Sequence, residues 1–204
     1  MIKMTWMRRC APLLISSVLV AGCSIFPEQA PLARYELPIK PLASTPQSPN
    51  DRVIYIATPQ ANRLINSDRI LVQPEGVEIQ VYQGALWADN VPVLFRDRMV
   101  QALQDAQLYK AISAEAALQS DLSLEGYINR FQVHYVEGQP KVQIHWEAQL
   151  VRSKDMSILQ TQRFQIEQPT ADSSVNAVVT AFGQATDQLG QQLVDWLATT
   201  SAAR

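Results

Sequence analysis

"LSLEGYINRFQVHYVEGQPKVQIHWEAQLVRSKDMSILQTQRFQI", residues 122–166, alternates apolar and polar side chains through three successive runs. In the middle run Val142, Ile144, Trp146, Ala148 and Leu150 alternate with Gln143, His145, Glu147 and Gln149. A period of two is that of a strand with one face buried and one face wet. The first run starts inward with Leu122, Leu124 and Ile128, slips phase near Asn129, and resumes with Phe131, Val133 and Tyr135. Glu137-Gly138-Gln139-Pro140 has the composition of a tight turn, and Lys154-Asp155 turns the chain again into Ile158 to Ile166. The reading is a three-stranded antiparallel meander.

Upstream, Val53-Ile54-Tyr55-Ile56 is a short β-prone run that suits a strand buried on both faces. Ile70-Leu71-Val72 forms another short strand. Val77, Ile79 and Val81 alternate with Glu78, Gln80 and Tyr82 as a strand with one buried face, which Gly84 interrupts like a bulge before Leu86 and Trp87. A helix then opens with Asp89 or Asn90 as cap and Pro92 in its first turn. Its apolar stripe is Val91, Leu94, Phe95, Met99, Ala102, Leu103 and Ala106, and Arg96, Asp97, Gln101, Gln104 and Asp105 take the other side. After the meander, Asp172, Ser173 or Ser174 caps a long helix to about Ala198, with Val175, Val178, Val179, Phe182, Leu189, Leu193, Trp196 and Leu197 inward. Asp187 and Asp195 are among the few charges of its other face. The order strands, helix, strands, helix predicts a single α+β domain over residues 33–204, with a mixed or antiparallel sheet and both main helices packed on one face.

The amino-terminal end has a different character. Lys3, Arg8 and Arg9 precede an apolar run of about ten residues, Ala11 to Val20, too short for a span of roughly 20 residues. With Ala21 and Gly22 behind it, this is the layout of a secretory signal peptide over residues 1–22. Val20-Ala21-Gly22-Cys23 resembles a bacterial lipobox, which implies cleavage before Cys23 and acylation of that cysteine. Several acyl chains, at about 0.8 kcal/mol per buried CH2, hold a protein on a membrane where one chain would not. Ser24 follows in place of the aspartate that resembles an inner-membrane retention signal, so the expected location is the periplasmic face of the outer membrane. Residues 23–32 then read as lipidated cysteine and tether. The proline-rich stretch Pro38 to Asn50 reads as a loop, with a short first strand at Arg34-Tyr35-Glu36-Leu37 between tether and loop.

Composition narrows the chemistry. Without residues 1–22 the chain has 182 residues, with 14 basic against 19 acidic side chains. This mildly acidic chain has no basic block, which argues against nucleic acid as a partner. Its cysteines are Cys10, in the leader, and Cys23, so no disulfide or thiolate zinc site is expected. His134 and His145 sit at strand positions on the more polar face; each reads as a half-exposed sheet residue, and the pair could ligate a metal only if they faced each other across the hairpin, as an incomplete site. No nucleophile motif, P-loop or dinucleotide motif occurs, and the carboxylates Asp121, Glu125, Glu137, Glu147, Asp155 and Glu167 show no pairing. The expectation is a non-enzymatic protein without catalytic, cofactor-binding or metal-binding residues. Trp146 and Trp196 read as core or edge anchors. Trp87, at a strand-to-helix corner, reads as core, with partner contact as the alternative.

Arg34-Tyr35-Glu36-Leu37 after a lipidated cysteine, Asn62-Arg63-Leu64 leading to Asp68-Arg69-Ile70-Leu71-Val72, Trp87-Ala88-Asp89 opening a helix, and a terminal helix ending Val194-Asp195-Trp196-Leu197 together resemble the ABC-type transport auxiliary lipoprotein family. The resemblance implies an envelope lipoprotein working with an MCE-domain protein in lipid transport between membranes, with or without an ABC permease and ATPase. It also implies that copies can assemble into a homo-oligomeric ring. Two other readings compete with such a docking role: a lipid carrier with an internal cavity, and a periplasmic hydrolase.

Overall fold

The computed structural model describes residues 32–42, 49–116 and 118–202. The order of elements is β1 (Ala33–Tyr35), β2 (Asn50–Ile56), β3 (Gln60–Ala61), β4 (Arg69–Gln73), β5 (Gln80–Trp87), α1 (Val91–Ala106), β6 (Tyr109–Ser113), β7 (Leu122–Val136), β8 (Gln139–Arg152), β9 (Ser157–Pro169) and α2 (Val175–Ala202). The signal segment, Cys23 and most of the tether, together with residues 43–48 of the proline-rich loop, lie outside the described residues.

The meander is present as β7, β8 and β9, antiparallel in sequence order. Glu137 and Gly138, at φ 51° and 76°, make the two-residue turn between β7 and β8, with both central residues in the left-handed region that matches strand twist. The phase slip is real: the β7–β8 register shifts between Ile128 and Arg130, so Ile128 faces Trp146 while Phe131 faces Ile144. One extra residue at this bulge returns Phe131 and Val133 to the buried face. At the second turn the Asp155 carboxylate accepts the Ser157 N–H at 3.2 Å and the Ser157 hydroxyl at 2.7 Å. These bonds lower its pKa.

The other edge of β7 is shared. β2, β3 and β4 pair with it in turn, all parallel, at Leu122–Leu124, Tyr127–Ile128 and Val133–His134. β6 extends the sheet beyond β2 in parallel, β5 pairs antiparallel with β4, and β1 pairs parallel with β5. The sheet is therefore mixed, as expected. Several details differ from the sequence reading. In β2 only Ile54 and Ile56 are buried, with Val53 and Tyr55 half-covered, so one face packs and the other is grazed. Val77 is 95 % exposed and precedes β5, and the inward residues of that strand are Ala85 and Trp87. The register between β4 and β5 shifts between Arg69 and Leu71, opposite the stretch that holds Gly84 at φ 73°, which accounts for the reversal of phase. β6 was not foreseen.

Both helices cover the same face of the sheet. Phe95 of α1 meets Trp146 edge-on at 5.1 Å; Phe182 of α2 stacks on Phe131 at 4.6 Å; Trp196 of α2 meets Phe164 at 5.9 Å. Phe131, Trp146 and Phe164 share one side of the sheet by their register, Phe131 with Ile144 and Trp146 with Phe164. Ser174 caps α2, its hydroxyl accepting the Ala177 N–H at 3.3 Å. Asn90 is the N-cap of α1, and Gln107 ends that helix in the left-handed conformation, its N–H donating to the Gln104 carbonyl. Among the described residues no helix is long and apolar enough to cross a membrane.

Candidate functional site

The amino-terminal end of the described domain is held at several points. β1 lies against β5 at the sheet margin, and the Ala88 N–H donates to the Tyr35 carbonyl at 2.8 Å. Arg34 donates to the Asp68 carboxylate at 3.3 Å and to the Trp87 carbonyl at 3.2 Å. The chain then leaves the sheet edge, buries Leu37, and crosses both helices as a strap, Pro38–Leu42.

Three groups hold the strap. Arg98 on α1, its side chain 0 % exposed, donates from Nε and Nη2 to one Asp187 oxygen on α2 at 3.0 and 2.7 Å. The same Nη2 reaches the Lys40 carbonyl at 3.2 Å, and the Lys40 N–H donates to that Asp187 oxygen at 3.3 Å. Further along, the Leu42 N–H donates to Asp105 of α1 at 3.1 Å. Small residues make room: a Cβ on Gly183 would stand 2.8 Å from the Pro38 carbonyl, and one on Gly190 would stand 3.0 Å from the Ala102 methyl and 3.7 Å from Leu42. A proline-rich composition predicts a loop over Pro38 to Asn50, yet its first five residues, four of them exposed, are tied to the helices, because Arg98, Asp187 and Asp105 bond backbone groups that a loop would give to water. Asp187, expected on the wet face of α2, is turned toward α1 by Arg98.

The histidines occupy the opposite face of the sheet. His134 stands opposite Lys141 and beside Gln73, and His145 stands between Arg130 and Gln165. They do not face each other: four residues along the ladder separate them, about 13 Å at strand rise. His134 Nε2 is buried without a hydrogen bond and lies 3.6 Å from Glu167. Burial, then the Arg130 guanidinium, pushes the His145 pKa below its ordinary value, and Glu167 opposes the shift. Both line a hollow of about 390 Å³ with Gln73, Arg130 and Gln143. Among the described residues no hydrogen bond joins either histidine to a hydroxyl, and no three His, Cys, Asp or Glu side chains gather as metal ligands.

Trp87 is 0 % exposed, edge-on to Phe131 at 6.1 Å and to Phe182 at 5.2 Å. Its side chain therefore belongs to the core, and the alternative of direct partner contact is corrected: the strand-to-helix corner folds inward under the Arg34 side chain, which covers the Trp87 carbonyl. At the far end of the meander a surface groove of about 1080 Å³ is lined by Arg52, Tyr55, Leu118, Arg152 and Met156 among others.

The amino-terminal strap of the described domain is thus bonded across the helix layer by Arg98, Asp187 and Asp105. The chain belongs to the family of ABC-type transport auxiliary lipoprotein components, whose model matches residues 35–194. The protein XCC0632 of Xanthomonas campestris is similar at 29 % identity and TM-score 0.78, over 84 % of this chain and 97 % of that one. The hypothetical protein CT253 of Chlamydia trachomatis shares the fold at 10 % identity and TM-score 0.54, over 76 % of this chain and all of that one. An uncharacterized protein of Bradyrhizobium diazoefficiens is 25 % identical over 142 residues, 69 % of this chain, and the match spans 38 % of that relative's length.

Proposed function

We propose that the protein is a non-enzymatic docking component of a lipid transport system in the bacterial envelope. It is anchored through Cys23 to the periplasmic face of the outer membrane and holds the end of an MCE-domain partner, with or without an ABC permease and ATPase. The observation that carries this reading is the strap: the segment leading from the anchor is bonded to both helices through Arg98, Asp187 and Asp105. A load on the lipid anchor is thereby passed into the domain core. A carrier would need an interior space for an acyl chain, and the layer between sheet and helices is filled by Trp87, Phe95, Phe131, Phe182 and Trp146.

The test is crosslinking of the tagged full-length protein in intact cells, followed by mass spectrometry of what purifies with it. Recovery of an MCE-domain protein supports docking. Recovery of bound lipid with no MCE or ABC subunit overturns it in favour of a carrier.

A further inference from the structure

The bulge in β7 re-aims a charge. Ile128 stands opposite Trp146 and Arg130 opposite His145, so Asn129 is the extra residue, and the phase beyond it puts Arg130, Gln132 and His134 on the sheet face away from the helices. As direct ladder neighbours, Arg130 and His145 have Cβ atoms about 4.5–5.5 Å apart. Beside them Pro74, Glu75 and Gly76 wall the hollow of about 390 Å³. That wall is tied down: the buried Gln132 donates to Gln73 Oε1 at 2.7 Å, and Gln73 Nε2 donates to the Gly76 carbonyl. Among the described residues neither the Arg130 guanidinium nor the His145 ring has a hydrogen-bond or ion-pair partner.

We propose that this hollow binds a phosphate group between Arg130 and His145. The guanidinium presents a fork of N–H donors that matches phosphate oxygens, and the imidazole adds a donor from the neighbouring strand. Donors on two strands suit a tetrahedral oxyanion, whereas a planar carboxylate is satisfied by the fork alone. The acidic groups nearby do not fill the place. Glu167 is engaged at the other end of the hollow, accepting from Gln143 Nε2 at 3.4 Å and standing 3.6 Å from His134 Nε2. Glu147 is paired with Arg163 at 3.0 Å, Glu75 is exposed on the wall, and Lys141, opposite His134, adds positive charge. Burial, then the Arg130 charge, holds the His145 pKa down; an anion seated between the two side chains offsets the second cause. The site needs no partner protein, so its test is separate from that of docking.

The experiment follows the His145 ring by nuclear magnetic resonance in the purified full-length protein, with inorganic phosphate titrated against chloride at equal ionic strength. The expected result is a saturable shift of the His145 resonances with phosphate only. The His145 pKa should also be higher in phosphate by about one pH unit, as for an opposite charge within about 4–6 Å. Arg130→Gln, at an exposed position, should keep the unfolding midpoint and lose the saturable shift, and Arg163→Gln should keep both. Glycerophosphoglycerol, the diester headgroup of an anionic phospholipid without its chains, identifies the source. Saturation by this diester assigns a lipid headgroup, and saturation by inorganic phosphate alone assigns a free phosphate. No saturable shift with either, the same shift with chloride or acetate, or a shift that survives Arg130→Gln overturns the site.

Discussion

Among the described residues Arg98 and Asp187 form the one ion pair of the helix layer whose basic member is fully buried, and the Lys40 backbone lies across it with both its carbonyl and its N–H engaged. A guanidinium taken out of water is tolerable only while its partner stays in place. Asp187→Ala leaves the charge of Arg98 buried and should cost about 3–5 kcal/mol of unfolding free energy. Arg98→Met should cost less, since Asp187 is 20 % exposed and can turn to water. Denaturant unfolding gives both numbers. Hydrogen exchange should show the Lys40 amide losing protection in Asp187→Ala; unchanged protection there would mean that Leu37 and the Asp105 bond to Leu42 hold the strap without Asp187.

Trp87 tests the core in a different way. Trp87→Ala removes the ring that meets Phe131 and Phe182 and should cost about 3–5 kcal/mol. Its indole N–H is buried without a partner, so Trp87→Phe discards an unpaired donor along with part of the volume. The loss for Trp87→Phe should stay below half of that for Trp87→Ala by the same measurement. A larger loss would show that the indole N–H has a partner, a bound water for example.

These two sites also mark what could be read from the chain and what could not. The meander was legible because period-two alternation over more than ten residues has no competing explanation, and even the slip at Asn129 showed as a break in phase. α1 and α2 were legible by their apolar stripes. The role of Arg98 was hidden because an arginine counts as a wet-face residue in any periodicity argument; its burial depends on an aspartate 89 positions away. The strap was hidden for a similar reason, since proline-rich composition describes local preference and the strap is held by tertiary partners. β6, Tyr-Lys-Ala-Ile-Ser, is too short to show a period. The segment Val77 to Val81 shows the converse error: its alternation reads as a half-buried strand, yet Val77, Ile79 and Val81 are all exposed, and the strand turns inward only at Ala85 and Trp87, beyond Gly84.

Gly126 should be intolerant of any side chain. A Cβ there would overlap the Glu147 carbonyl oxygen and Trp146 Nε1, because the Trp146 indole lies across the glycine. Gly126→Ala must disturb the ring's contacts with Phe95 and Phe164, and the expected loss is about 1–3 kcal/mol. Gly84→Ala meets open space and pays only for its positive φ, about 1–2 kcal/mol. Near-ultraviolet circular dichroism separates them: the tryptophan signal should change in Gly126→Ala and not in Gly84→Ala.

His145 should make the fold less stable in mild acid. Its folded pKa lies below the unfolded value of 6.5, so the unfolded chain takes up a proton first as pH falls. The contribution is fully present above about pH 6.5, declines as pH falls below it, and levels off once pH is below the folded pKa. His145→Gln should flatten this part of the stability profile. A nuclear magnetic resonance titration in which the His145 ring titrates at or above 6.5 would remove the basis of the prediction.

Cys23→Ala separates anchor from fold. The core is assembled from residues of the described region, beginning at Leu37, so the substitution should leave circular dichroism and unfolding midpoint unchanged. Under the proposed function it removes the acceptor for the acyl chains, and no described helix is long and apolar enough to cross a membrane in their place. The unsubstituted protein should fractionate with the outer membrane and show an intact mass that starts at Cys23 and exceeds the bare polypeptide by its lipid. Cys23→Ala should lose that added mass and leave the outer-membrane fraction. Continued sedimentation of a folded Cys23→Ala protein with the outer membrane would mean that the domain binds the membrane or a resident partner by itself, and the strap would then have no load to carry.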